Sequence, residues 1–165
     1  MKQIYEGWTK VNEKETIEDL ESYIFNQLVT KAGVEVIIGT DASLRTDMGK
    51  NKKLKFLTVI VFRHQAIPCT NHVIMRRDEE VKIGKVPTSV KLNGEVNRTA
   101  ELALWFRDKI NIDPEIHLDL NPDANAGSFQ VYKYIHGYFE SLGFKAEYKP
   151  AGTAYCASSV ADYFL

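Results

Sequence analysis

The sequence predicts an α/β protein: an extra N-terminal helix, then a mixed five-stranded sheet in the order βββαβαβα. Three observations carry this. Apolar, β-branched runs at 34–42, 54–64 and 68–77 are joined by short connections, the pattern of an antiparallel meander. Two more strand-like segments, 115–120 and 144–149, each follow a helix-periodic stretch and so return parallel to the first strand. Residues 128–142 place Val131, Tyr134, Ile135, Tyr138, Phe139 and Leu142 at i, i+3, i+4, i+7, i+8 and i+11, the stripe of an amphipathic helix.

Taken in order, residues 1–15 are polar and are expected to form an irregular lead-in. Thr16 is placed as N-cap of the leading helix, with Asp19 reaching back to it. Ile17, Leu20, Ile24 and Leu28 form the apolar stripe of that helix, and Gly33 ends it. A turn at 47–53 separates the first two strands. The charged, Gly- and Pro-containing stretch 78–91 leads into a helix at 93–110, which Asn111-Ile112-Asp113-Pro114 terminates. A turn-rich loop at 121–127 precedes the 128–142 helix, Gly143 caps that helix, and a final helix runs over 155–164. Right-handed crossovers put the fourth strand beside the first.

At 165 residues the chain is expected to be one domain, 1–165, with a substantial core. A composition of 44% hydrophobic and 26% charged residues fits a globular protein and excludes a disordered one. The longest apolar stretch, 56–62, is broken by Thr58 and far too short to span a membrane. The start, Met1-Lys2-Gln3-Ile4-Tyr5-Glu6, holds no apolar signal region. Cys69 and Cys156 form neither a metal-spaced pair nor a disulfide framework. A cytoplasmic protein with no membrane association and no disulfide-linked partner is expected. The net charge of −1 hides a basic middle: residues 45–107 carry 13 Lys and Arg against 6 Asp and Glu, while the flanking segments each carry 4 against 8. Such a middle suits a phosphate-binding surface beside an acidic site, or a set of solvated strands.

The residue that singles out a site is Asp41, in Val36-Ile37-Ile38-Gly39-Thr40-Asp41-Ala42-Ser43. An ionised group at the end of a buried strand needs a counter-charge or a metal. Asp119, in Ile116-His117-Leu118-Asp119-Leu120, closes a second apolar strand in the same way. Parallel neighbours would carry both acids to the carboxyl end of the sheet, where ligands collect. Two close carboxylates persist by sharing a proton or holding a cation, and all-oxygen ligands favour Mg²⁺ or Mn²⁺. The alternative for each is a turn-capping role. His117, sharing a face with Asp119, is expected to pack beside the site. Gly39 is expected to permit close backbone packing.

Thr40-Asp41-Ala42-Ser43 resembles the Thr-Asp-Gly-Ser run of ribonuclease H. Asn97-Arg98-Thr99-Ala100-Glu101-Leu102-Ala103 resembles the Asn-Arg-x-Glu-Leu-x-Ala motif of that fold's first helix, with one extra residue before the glutamate. Leu118-Asp119 matches its fourth-strand acid and Ala161-Asp162 its last-helix acid. With Phe139-Glu140-Ser141-Leu142-Gly143-Phe144, Lys149-Pro150 and Ala157-Ser158-Ser159, the chain from about residue 16 is similar to the YkuK family of bacterial ribonuclease-H-like proteins.

The resemblance implies a ribonuclease H-like fold and a two-metal nuclease that hydrolyses phosphodiester bonds of RNA or an RNA–DNA hybrid. Asp41, Glu101, Asp119 and Asp162 would hold Mg²⁺ or Mn²⁺, with Asp41 bridging both ions. Periodicity puts Glu101 off the buried stripe, and Glu95 is its rival near the start of that helix. Asp123 is a spare acid in the 121–127 loop. The basic candidates for nucleic-acid contact are Lys52, Lys53, Arg76, Arg77 and Arg98, with Arg45 and Lys50 beside them. The histidine that this fold often carries before its last helix is absent from Ala151-Gly152-Thr153-Ala154. Two other readings fit the same fold: a non-catalytic nucleic-acid-binding module, and a junction resolvase-like DNA nuclease.

Overall fold

The computed structural model describes residues 3–11, 15–30, 33–46, 52–64, 72–82, 86–120, 129–148 and 155–164. Its elements are β1 (Trp8–Lys10), β2 (Thr16–Ile17), α1 (Leu20–Thr30), β3 (Val34–Thr46), β4 (Lys52–His64), β5 (His72–Lys82), α2 (Thr88–Trp105), β6 (Glu115–Leu118), α3 (Phe129–Ser141), β7 (Ala146–Tyr148) and α4 (Tyr155–Phe164). They build one mixed sheet in the order β2-β1-β5-β4-β3-β6-β7.

The five strands β3 to β7 occur in the predicted arrangement. β3, β4 and β5 form the antiparallel meander, and β6 pairs with both β3 and β7 in parallel. The sheet nevertheless has seven strands, not five. β1 adds to the outer edge of β5, with Trp8 opposite Arg76, and β2 adds to β1. The expected irregular lead-in therefore contains a strand. Trp8 is fully buried and donates its indole N–H to the Ile4 carbonyl at 2.8 Å, so one aromatic anchors a three-residue strand that alternation cannot reveal.

Thr16 belongs to β2, and Asp19 takes over the capping role. Its Oδ1 accepts the Ser22 N–H at 3.0 Å, as an N-cap carboxylate does at N3. Other boundaries also moved. β5 runs to Lys82, beyond the expected end at Arg77, and α2 starts at Thr88. α2 runs into a π-helical turn, Phe106–Ile110, and ends at Asn111 in the left-handed conformation, φ 60°. α3 ends in a Schellman turn at Gly143 (φ 75°), where the Phe144 N–H reaches the Phe139 carbonyl at 2.9 Å. No helix of the described residues is long and apolar enough to cross a membrane.

The pleat sorts the sheet into two faces. Val36, Ile38, Ile60, Phe62 and Ile74 face the main core, where α2 and α3 supply Val96, Ala100, Leu102, Ala103, Ile135 and Phe139. Ile37, Leu57, Val59, Val61 and Met75 face the other way, onto Ala157 and Ala161 of α4. Asp41 belongs by alternation to the α4 face.

Candidate active site

β3 and β4 pair along their whole length, but β6 meets β3 only at Ile37 with Glu115 and Ile38 with Ile116. Beyond Ile38 the β6-side edge of β3 has no ladder partner among the described residues, and Asp41 stands on this open edge. The Ala42 N–H donates to Asp41 Oδ1 at 2.8 Å instead of joining a ladder.

Glu95 of α2 reaches the same edge from the opposite face of the sheet. It is 6% exposed. Burial pushes the Glu95 carboxyl up to about 8; Lys91 pulls it back and the like charge of Asp41 adds to the rise. Lys91, one turn earlier on α2, places Nζ 3.6 Å from Asp41 Oδ1 and 3.5 Å from Glu95 Oε1. Glu95 Oε1 is buried and accepts no well-formed hydrogen bond.

Two packing devices set this geometry. The first is a chain of hydroxyls. Thr99 Oγ1 lies 3.0 Å from the Glu95 carbonyl and 2.9 Å from Thr40 Oγ1, which lies 3.1 Å from Thr58 Oγ1. This registers the Glu95 turn of α2 on the residue before Asp41. The second is close approach at two glycines. A Cβ on Gly94 would sit 2.5 Å from the Phe56 ring; one on Gly39 would sit 2.8 Å from the His117 carbonyl oxygen and 2.9 Å from the Ala157 Cβ. Gly94 thus brings α2 onto β4 and Gly39 brings α4 onto β3, as the reading of Gly39 as a packing residue expects.

The predicted acids fall out as follows. Asp119 follows Ile116 by three residues as Asp41 follows Ile38, but lies past the end of β6, where the β3–β6 pairing has already stopped. Asp119 is exposed just beyond β6. Asp162 lies in α4, on the face of the sheet that carries Asp41; its side chain and Asp123 lie outside the described residues. Glu101 is not brought to Asp41. It is exposed, six residues after Glu95 and so about 240° further round the helix. Glu95 takes that place.

A signal for Glu95 was available. The buried stripe of α2 includes Thr99, Leu102 and Ala103, and Glu95 continues it at i−4 from Thr99. Thr40 and Thr99 lie inside the two quoted motifs, but their hydroxyl contact is not legible from the sequence, and Lys91 carries no motif. Among the described residues no three His, Cys, Asp or Glu side chains gather as a ready metal cage. The described centre is two carboxylates and a lysine. His117 is fully buried, with Nε2 2.7 Å from Glu115 Oε1.

The basic candidates divide by face. Arg76 is buried and paired with Asp78 at 3.1 Å on the α2 face. Arg98 lies 3.6 Å over the Phe56 ring and binds Glu80 at 2.6 Å and the Gly94 carbonyl at 3.1 Å. The motif Asn97–Ala103 thus supplies structural contacts. Arg77 is exposed on the α4 face, bonded to the Phe164 carbonyl at 3.4 Å. Register sets Lys53, Lys55 and Arg45 on that same face, opposite Val81, Glu79 and Lys53 respectively. Lys55, 2.7 Å away, with Lys53 and Arg45 beyond it, holds the Glu79 carboxyl below its usual range. Lys52 alternates to the α2 face, and Lys50 lies outside the described residues.

The Ribonuclease H-like family model matches residues 15–165. No curated protein and no solved structure matches the chain. The match takes in β2 through α4 and every acid considered above, so the chain belongs to the Ribonuclease H-like family.

Proposed function

We propose that the protein is a divalent-metal-dependent nuclease that hydrolyses phosphodiester bonds in RNA or an RNA–DNA hybrid. The observation that carries this is the Asp41–Glu95 pair at the open edge of β3. Two carboxylates, 13% and 8% exposed at their side chains, face one another across the end of the sheet, and one buried oxygen lacks a well-formed hydrogen bond. Hard oxygen donors at that density suit Mg²⁺ or Mn²⁺. Asp41 and Glu95 would hold the ion, with Asp119 just beyond β6 and Asp162 on α4 as further ligands. Bound ions would supply an activated water and neutralise the departing oxygen.

The chain's own residues do the rest. The Thr58–Thr40–Thr99 chain and the two glycine contacts fix the carboxylates on rigid elements, as a preorganised centre requires. The α4 face beyond Asp41 offers Arg45, Lys53, Lys55 and Arg77 to a phosphate backbone.

The experiment is Mn²⁺-dependent cleavage of labelled RNA, hybrid and branched DNA substrates. Asp41→Asn and Glu95→Gln are expected to lose at least about a hundredfold in rate with circular dichroism unchanged, an effect typical of removing a charge-stabilising group. Glu101→Gln is expected to keep wild-type activity. A Glu95→Gln variant that cleaves like wild type would sink the assignment. The ammonium between the two carboxylates favours one other reading, a nucleic-acid-binding module whose charge centre is already neutralised. Tight binding without cleavage under any divalent ion would select it.

A further inference from the structure

We infer that Lys91 is a resident cation of the acidic centre: its ammonium holds Asp41 and Glu95 together until a divalent ion displaces it. The inference rests on reading Asp41 and Glu95 as metal ligands. Lys91 sits one helical turn before Glu95, so its side chain lies over the same face of α2. Nζ is almost equidistant from the two carboxylates, 3.6 Å from Asp41 Oδ1 and 3.5 Å from Glu95 Oε1. Both distances exceed those of a strong charged hydrogen bond. The ammonium therefore bridges the pair without locking onto either partner.

The three side chains differ in their freedom to leave. Asp41 and Glu95 are 13% and 8% exposed, whereas Lys91 is 36% exposed on a flexible four-carbon stem. Lys91 has a route to water that the carboxylates lack. A dication entering between them meets the carboxylates already converged and exchanges for a single positive charge. The displaced ammonium, tethered one turn away, remains at the mouth of the site. Lys91 is accordingly a positioning residue: it bridges Asp41 and Glu95 and lowers the metal affinity of the pair by competition.

The test is Mn²⁺ binding by the intact, metal-stripped chain, followed by calorimetry and by the loss of free Mn²⁺ electron-spin signal. Lys91→Met keeps the stem and removes the charge. It is expected to bind Mn²⁺ at least about tenfold more tightly than wild type, and Lys91→Arg is expected to stay near wild type. Equal or weaker binding by Lys91→Met overturns the inference while the metal-site reading stands. Failure of both wild type and Lys91→Met to bind Mn²⁺ removes the metal-site reading as well. A second measurement needs no variant. Acetylation of Lys91 in the wild type, read by peptide mass spectrometry, is expected to rise when Mn²⁺ is added. Protection, or no change under saturating Mn²⁺, overturns the inference.

Discussion

The two faces of the sheet beyond Thr40 handle charge in opposite ways. On the α2 face, Arg76, Asp78, Glu80 and Arg98 form a linked set of ion pairs beside Phe56, and α2 packs against them. On the α4 face, Arg45, Lys53 and Lys55 stand around Glu79, and Arg77 bonds to the Phe164 carbonyl at the end of α4. Consecutive residues belong to different worlds: Arg76 is buried and Arg77 exposed. A run of basic residues on a strand is therefore two populations, and only one is available to a partner. The acidic centre lies where the faces meet, because β6 stops short and lets Glu95 reach round the edge of β3 to Asp41.

The largest effect expected on this comparison comes from Glu95, the buried acid at the boundary. Its folded carboxyl lies near 8, above an ordinary value of 4.5. Below pH 4.5 the group is protonated in both states and costs nothing. Between 4.5 and 8 the unfolded chain releases the proton and the folded chain keeps it. The protein then loses stability by about 1.4 kcal/mol per pH unit, on the order of 5 kcal/mol across the window. Above 8 the loss levels off. Glu95→Gln removes the penalty, so the variant is expected to be the more stable at pH 8 and its advantage to shrink towards pH 5. Urea denaturation of both proteins at several pH values measures this. A gap that does not change with pH would place Glu95 in water rather than at a dry boundary.

Next in size is a paired truncation across the faces. Arg98→Ala removes the guanidinium that Glu80 and Asp78 share, leaving Asp78 with Arg76, and uncovers Phe56. Removing one partner of a largely buried pair costs about 3–5 kcal/mol, and the 20% exposure of Arg98 brings the expected loss to about 2–3 kcal/mol. Arg77→Ala, on an open face, is expected to change stability by less than about 0.5 kcal/mol. Comparable losses from the two variants would erase the distinction between the faces.

The sequence made one part of this arrangement legible and hid the other. Strand alternation and connection length are local, and they sufficed for the order of β3 to β7; the expected strand end at Ala42 did not hold, because β3 runs on to Thr46 and Asp41 lies within it. β1 and β2 were hidden because three and two residues carry no period; they exist only as additions to the edge of β5. Glu101 was favoured over Glu95 by its place in a motif. The deciding physics is the azimuth of α2, which Thr99, Gly94 and Phe56 set through contacts with β3 and β4. Those are long-range facts. The basic candidates were a mixture for the same reason: their faces depend on strand register, and the sequence alone leaves that register open by one residue.

The smallest effect is also the most diagnostic of the open face. If Lys53, Lys55 and Arg77 meet phosphates, neutralising any one should weaken nucleic-acid binding modestly and similarly across sequences. It should also lower the slope of log affinity against log salt by about 0.7 for a single strand or 0.9 for a duplex. Arg98→Lys provides the contrast, since it keeps a charge on the closed face and is expected to leave the slope unchanged. Fluorescence anisotropy with a short labelled RNA at several salt concentrations reads both numbers. Lys55 is the most demanding case, because its ion pair with Glu79 at 2.7 Å must open before a phosphate takes its place. Glu79→Gln should therefore strengthen binding while Lys55→Gln weakens it. A pair of variants that shift affinity in the same direction would show that Lys55 serves Glu79 alone, and would confine the phosphate surface to Arg45, Lys53 and Arg77.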